Sequence, residues 1–460
     1  MAGIGFELRR VANKGGLSGI AQAAVSGTMI VAGPWIMSII SIMVIQRGLG
    51  GLLGENGAVF TSVIVYSYAF SLVLSGGIQY VFTRIVADSI YRKEEGAGLS
   101  FLLDCVPWIL LLSAVVAVPA SLLLRPGLPN LLLFRAAMVF LFMSVNLLWF
   151  VMLFISVLTW FLKIILSFAA GMGAGVLLIF LLAKPFGAAG ALLGFGIGHF
   201  LIDLLLILLC LRAYRPVRGE RMKVLFKKYV REFLFLFLTG WGYYLSLWVD
   251  KFIYWFSAGI PVPGTLFPVY EPYDISIYFA NLTMIPGLVF FIIASETTFS
   301  SLLKRFLMSL GRERYTDILK RKYRLRREAV RDLAEQTSFQ GIVSAAVILA
   351  IPTLNRVFFS DTLYEGILMI SCAGVFFHLV FLSLLNFLFY MERYRRAFLL
   401  VCVFLGTNAI VSGLSAAGVI PFPPGAGYLS AGIFSAVLGY RLFGRSMKQL
   451  DRFIYAGIHS

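Results

Sequence analysis

About a dozen runs of apolar residues divide this chain, and each is long enough to cross a lipid bilayer. A helix needs roughly 20 apolar residues, rising about 1.5 Å each, to cover a hydrocarbon core about 30 Å thick. Segments 25–45, 102–124 and 366–389 meet that length. Charged residues are 13% of the 460, about half the share of a soluble domain, and mean hydropathy is +0.90. Lipid is therefore the solvent for most of the chain.

The pattern predicts twelve spans, near 25–46, 58–82, 101–124, 134–158, 164–183, 187–211, 233–257, 275–295, 338–359, 365–389, 397–418 and 427–443. Runs such as Leu131–Leu133 and Leu204–Leu209 do not alternate, which excludes the pattern of a β-barrel strand. Helices satisfy their own backbone in lipid. Residues 1–19 carry Glu7, Arg9, Arg10 and Lys14 and read as a retained amphipathic lead-in, because no small-residue cleavage site follows a short apolar core.

Orientation follows from Lys and Arg near the span ends. With the N-terminus in the cytoplasm, the inside segments hold 33 of the 39 basic residues, chiefly in 212–232 and 296–337. Both termini are then cytoplasmic. The net charge of +17 is a topological signature, and no basic soluble face suggests nucleic acid. Cys105, Cys210, Cys372 and Cys402 show no metal spacing and are expected as free thiols.

Residues 212–232 form a basic seam with Pro216 and Gly219, leaving an N-terminal six-helix bundle over 1–211 and a C-terminal one over 233–460. Pro185-Phe186-Gly187 opens the sixth span and Pro424-Gly425-Ala426-Gly427 the twelfth. Equivalent spans share a direction, as in parallel repeats. The fold expected is an all-α integral membrane protein: about twelve helices in two bundles, related by a parallel pseudo-two-fold around a central cavity. The second bundle carries a cytoplasmic amphipathic helix over 299–335, apolar through Leu303, Phe306, Leu310, Ile318 and Leu319, and basic through Lys304, Arg305, Lys320, Arg321 and Arg324. It suits an anionic membrane surface or a cytoplasmic partner.

Ionisable side chains at bilayer depth are costly and tend to face a cavity. Asp250 and Lys251 stand among aromatic residues, with Asp250 about 25 Å up its span. Neighbours on a helix point about 100° apart, so the two need not pair. Tyr254 and Trp255 suit the apolar C–H faces of sugar rings, and an interfacial anchor is the alternative reading. With Asn281 these residues make a candidate substrate path. His199 and Asp203, at i and i+4, are a candidate proton relay or a structural hydrogen bond. His378 stands alone. Asn146, Asn281, Asn386 and Asn408 read as interhelical bonds, or in part as lining of a path. Arg84 and Glu296 end the second and eighth spans, and their matching positions suit a cytoplasmic gate or anchor. The outer loop Pro261–Asp274 is proline-rich and acidic, without Lys or Arg, and could favour a cation, a cationic polymer or solvent.

No Walker loop, HExxH, zinc-type His-x-x-His or GxSxG occurs, and no glycine cluster opens a βαβ unit. The chain reads as a transporter rather than an enzyme, with no cofactor and no metal site. A lipid-linked oligosaccharide flippase, a cation-coupled multidrug exporter, a membrane glycosyl- or acyltransferase and a non-transporting scaffold are the competing readings.

Several landmarks, in order along the chain, carry a resemblance. They are the opening Met1-Ala2-Gly3-Ile4-Gly5-Phe6-Glu7-Leu8-Arg9-Arg10, Gly33-Pro34-Trp35, Phe82-Thr83-Arg84 with Asp88, and Asp250-Lys251 with Trp255-Phe256. Tyr273-Asp274, Ile285-Pro286-Gly287 and Glu296-Thr297 follow. With these the chain resembles the PelG family of Pel exopolysaccharide transporters, within the multidrug/oligosaccharidyl-lipid/polysaccharide flippase superfamily. The resemblance implies two six-helix bundles around a central cavity. It also implies export of an N-acetylhexosamine-rich polysaccharide across the bacterial inner membrane during biofilm matrix synthesis. The partners it implies are a PelF-type glycosyltransferase, a PelD-type cyclic-di-GMP receptor and PelE.

Overall fold

The computed structural model describes residue 53 and residues 56–124, 127–155, 160–217, 222–310, 313–358 and 362–450. The lead-in 1–19, the first expected span at 25–46 and the Gly33-Pro34-Trp35 motif lie outside the described residues. The described helices are α1 (Asn56–Tyr91), α2 (Glu95–Ser121), α3 (Leu131–Ile155), α4 (Phe161–Ala213), α5 (Met222–Glu232), α6 (Leu234–Ala258), α7 (Glu271–Leu282) and α8 (Ile285–Ala294). After them come α9 (Ser300–Ser309), α10 (Tyr315–Phe358), α11 (Thr362–Tyr390), α12 (Tyr394–Ala416) and α13 (Ala426–Lys448). A two-residue antiparallel ladder, β1 (Ile260–Pro261) with β2 (Pro268–Val269), closes the loop after α6.

Every expected span that falls on described residues is helical over most of its described length. Eight described helical segments are long and apolar enough to cross a membrane. The protein is therefore a multi-pass membrane protein. α6 and α13 fall short of that hydropathy for a visible reason: α6 spends positions on Trp, Tyr, Asp250 and Lys251, and α13 on Gly, Ser and Arg.

The backbone corrects several boundaries. The fifth and sixth spans form one element, α4, broken at Gly187 (φ 59°, ψ −140°). Positive φ is cheap only for glycine, so the reversal falls on Gly187, two residues after Pro185. The two arms of α4 then meet backbone to backbone: a Cβ on Gly198 would lie 2.7 Å from Gly175 Cα and 2.9 Å from the Gly171 carbonyl oxygen. Small residues permit this approach where lipid offers no hydrophobic drive to association. The span at 275–295 is divided at Thr283 and Met284 into α7 and α8, because Pro286 begins a new helix. The amphipathic stretch 299–335 is two elements rather than one helix: α9 ends at Ser309, and α10 starts at Tyr315 and continues into the expected ninth span.

Two compact units result. Among the described residues, the first comprises 53–244 and Gly259–Val269; the second comprises Leu245–Ala258 and 270–450. The basic stretch 212–232 supplies α5, which packs within the first unit: Tyr229 donates to Asp88 at 2.9 Å, and the ring of Phe233, just after α5, has the Arg84 guanidinium 5.1 Å from its centroid. The core of this unit joins Phe82 of α1, Leu102 of α2, Phe150 and Phe154 of α3, and Phe168 and Ile202 of α4. The loop Gly259–Val269 belongs to it as well. Tyr66 donates to the Pro268 carbonyl at 2.6 Å, and Leu266 N–H donates to the Leu123 carbonyl at 3.1 Å.

In the second unit, α11 packs against α7, α12 and α13. His378, Phe381, Phe404 and Tyr428 form an aromatic cluster there, with Phe381 and Phe404 stacked at 4.7 Å. Gly425, with φ of 95°, caps the start of α13, so a Pro-Gly motif again precedes a helix.

Candidate functional site

The second half of α6 reads Leu245-Ser246-Leu247-Trp248-Val249-Asp250-Lys251-Phe252-Ile253-Tyr254-Trp255. With apolar residues around most of its circumference, this segment is built for burial. Asp250 has no exposed surface, Trp255 is 1% exposed, and Tyr254 and Lys251 are buried. Pro272 and the acidic residues Glu271 and Asp274 in its first turn favour the start of α7.

Each charge has a defined partner. Tyr273 of α7 donates to Asp250 Oδ2, and the Lys251 backbone N–H donates to Asp250 Oδ1 at 2.9 Å. Lys251 Nζ donates to the Leu247 carbonyl at 2.8 Å and lies 4.9 Å from the Trp248 ring centroid. Its distance to Asp250 Oδ1 is 3.9 Å, a long ion pair. Trp255 Nε1–H donates to both Asp274 oxygens, at 2.9 and 2.8 Å, and the Tyr270 N–H reaches Asp274 Oδ2 at 3.3 Å. Asp274 is thus an internal acceptor and not part of an open acidic loop.

The aromatic rings are also covered. Tyr254 stacks on Tyr270 at 5.9 Å, meets Tyr273 edge-on at 5.1 Å and donates to Ser415 Oγ at 3.2 Å. On α12, Asn408 Nδ2 donates to the Ser246 carbonyl at 3.1 Å, tying it to α6. Asn146 and Asn386 behave differently from expectation: each amide donates to the carbonyl four residues back, on its own helix, at 2.9 Å. Short polar side chains reach that carbonyl without a second helix. His378 is not alone, because its Nδ1 lies 2.8 Å from the Tyr428 hydroxyl. Asn281 is partly buried on α7.

The remaining candidates are placed as follows. His199 Nε2 lies 2.5 Å from the Tyr68 hydroxyl and Nδ1 2.9 Å from the Phe195 carbonyl. Both ring nitrogens are engaged away from Asp203. Asp203 is fully buried, and neither carboxylate oxygen has a hydrogen-bond partner among the described residues. Arg84 pairs with Asp88 at 3.3 Å. Glu296 lies in the π turn Ser295–Phe299, and its side chain falls outside the described residues. The four cysteines are free thiols.

Sequence reasoning missed a polar thread in the first unit. Ser71 accepts from Trp149 Nε1 at 3.0 Å, Gln79 donates to Ser75 Oγ at 2.6 Å, and Tyr244 donates to Gln79 Oε1 at 3.1 Å. Its signal was present: Ser67, Ser71, Ser75 and Gln79 recur every four residues, one face of α1.

Among known proteins, a family model described as "PelG: Putative exopolysaccharide Exporter (EPS-E)" matches residues 1–455. No curated protein matches the sequence. The fold is similar to that of the eukaryotic MATE transporter AtDTX14, at TM-score 0.63 and 14% identity, covering 98% of this chain and 100% of that one. It is similar to an outward-facing multidrug resistance MATE family transporter of the MOP superfamily, at TM-score 0.62 and 12% identity over 98% and 97% of the chains. A MOP superfamily transporter from Pyrococcus furiosus matches at TM-score 0.58 and 13% identity over 93% and 96%. These structures share a twelve-helix, two-lobe fold, as the hydropathy pattern predicts.

Proposed function

The chain belongs to the PelG family of exopolysaccharide exporters, and from that premise we propose that it carries an N-acetylhexosamine-rich polysaccharide, Pel, across the bacterial inner membrane during biofilm matrix synthesis. The observation that supports this reading most is the Asp250–Tyr273 pair beside Lys251, Tyr254 and Trp255. It is a buried set of acceptors, donors and aromatic rings inside a membrane-spanning unit, where ionisable groups are costly to keep. Asp250 would accept hydrogen bonds from sugar hydroxyls or amides, Lys251 would donate them, and Tyr254 and Trp255 would stack on sugar faces, with Asn281 further along the path. Sugar contact requires the α6–α7 packing to open, since both rings are covered by protein.

Arg84 and Glu296 take gate roles at the cytoplasmic ends of their spans, with both termini in the cytoplasm. His199 fastens α4 to α1, which leaves Asp203 as the member of that pair suited to carry a proton. A PelF-type glycosyltransferase, a PelD-type receptor and PelE supply the polymer and its control.

Deleting the chain from a polymer-producing host tests the reading. Secreted hexosamine polymer should disappear and return on complementation. Fold similarity to multidrug MATE transporters, together with the unpartnered Asp203, favours a cation-coupled drug exporter as the second reading. Restored drug resistance in a sensitive host, with polymer secretion unchanged by the deletion, would select it.

A further inference from the structure

The π turn Ser295–Phe299 leads directly into α9. Such turns recur at functional sites. Thr298 of this turn, Ser301 and Arg305 of α9, and Arg324, Glu328 and Arg331 of α10 line a cavity of about 460 Å³. That volume lies in the range of small-molecule sites.

The charges in the cavity do not cancel. Glu328 pairs with Arg331 at 2.8 Å and with Arg327 at 3.3 Å, and Arg331 also reaches Glu335 at 3.4 Å. Arg305 and Arg324 have no ion pair or hydrogen bond among the described residues. Two uncompensated guanidiniums therefore share one cavity with two hydroxyl-bearing residues. A guanidinium presents a planar fork that fits the oxygens of a phosphate.

The same two helices expose apolar surface: Leu307 and Met308 on α9, and Tyr315, Leu319 and Tyr323 on α10. Basic and apolar residues exposed together mark helices that lie against a membrane surface. We propose that this cavity is a binding site for a phosphoryl anion, held by Arg305 and Arg324, with the head group of an anionic phospholipid as its source. The site stands apart from Asp250 and Lys251 and does not depend on their role in transport.

Native mass spectrometry of the full-length protein, titrated with phosphatidylglycerol in neutral detergent, tests this. The Arg305→Gln/Arg324→Gln double variant should bind the lipid roughly tenfold more weakly, the scale of a lost charge-assisted contact. Lys227→Gln/Arg231→Gln removes the same charge from α5 and should change binding about twofold or less. All four side chains are exposed or near the surface, so elution and melting temperature serve as the folding check. A second arm titrates inorganic phosphate. Phosphate binding that depends on Arg305 and Arg324, with lipid binding that does not, would support the anion site and make a free anion its source. Equal losses in both double variants, or no loss in either, for both probes, would overturn the proposal.

Discussion

Tyr273 on α7 donates its phenolic hydrogen to Asp250 on α6, and neither side chain has any exposed surface. Within the second unit, the bond joins the second half of α6 to α7. It satisfies a carboxylate oxygen that has no exposed surface, where leaving a polar group without a hydrogen bond is costly.

Tyr273→Phe keeps the ring and removes the donor, leaving Asp250 Oδ2 without its partner. We expect a loss of roughly 1–3 kcal/mol in denaturant unfolding of the purified protein. Adding Asp250→Asn should cost less than the two single changes summed, because the carboxylate that lost its donor is then gone. Strict additivity would mean that the pair is not coupled.

Trp255→Phe makes the same test one turn further along α6. Asp274 would keep only the long bond from the Tyr270 N–H. A destabilisation of roughly 1–3 kcal/mol is expected, measured the same way. Trp255→Tyr, whose hydroxyl sits elsewhere on a smaller ring, should not restore it.

The α4 hairpin supplies a steric prediction. Gly198→Ala would bring Cβ to 2.7 Å from the Gly175 backbone, whereas a Cβ on Gly173 meets nothing within 4 Å. Gly198→Ala should lose roughly 1–3 kcal/mol through forced separation of the two arms. Gly173→Ala should be neutral or stabilise by up to about 1 kcal/mol through helix propensity. Melting temperatures of the two variants in one detergent decide it.

These elements show what could be read in advance. Span positions were legible because lipid demands long apolar helices, and the Pro-Gly openings announced the turns at Gly187 and Gly425. Asp250 and Lys251 stood out because ionisable residues are scarce at that depth. Their partners did not: nothing in sequence pairs Tyr273 with Asp250 or Ser415 with Tyr254, because those contacts come from helix packing. The i and i+4 spacing placed His199 and Asp203 on one face, yet Tyr68 from another helix took the imidazole. Helical spacing permits a contact and does not select it.

Tyr229 gives a pH dependence outside the spans. Burial, and then its hydrogen bond and proximity to Asp88, push the phenol from its ordinary 10 up to about 12. A raised value means that the folded state holds the proton more tightly. The resulting stability is complete below pH 10 and is lost as pH rises towards 12. The stability difference between wild type and Tyr229→Phe should therefore be flat below about pH 9 and shrink between pH 10 and 12. A difference that changes between pH 6 and 8 would contradict this account of the bond.

Secretion tests the transport role most directly. Asp250→Ala and Lys251→Ala are placed separately in the chromosomal copy, membrane protein level is matched to wild type, and extracellular hexosamine polymer is quantified. The account predicts that each strain loses roughly tenfold or more of its secreted polymer, because a buried donor or acceptor of the path is gone. Wild-type secretion from both strains at equal protein level would contradict it.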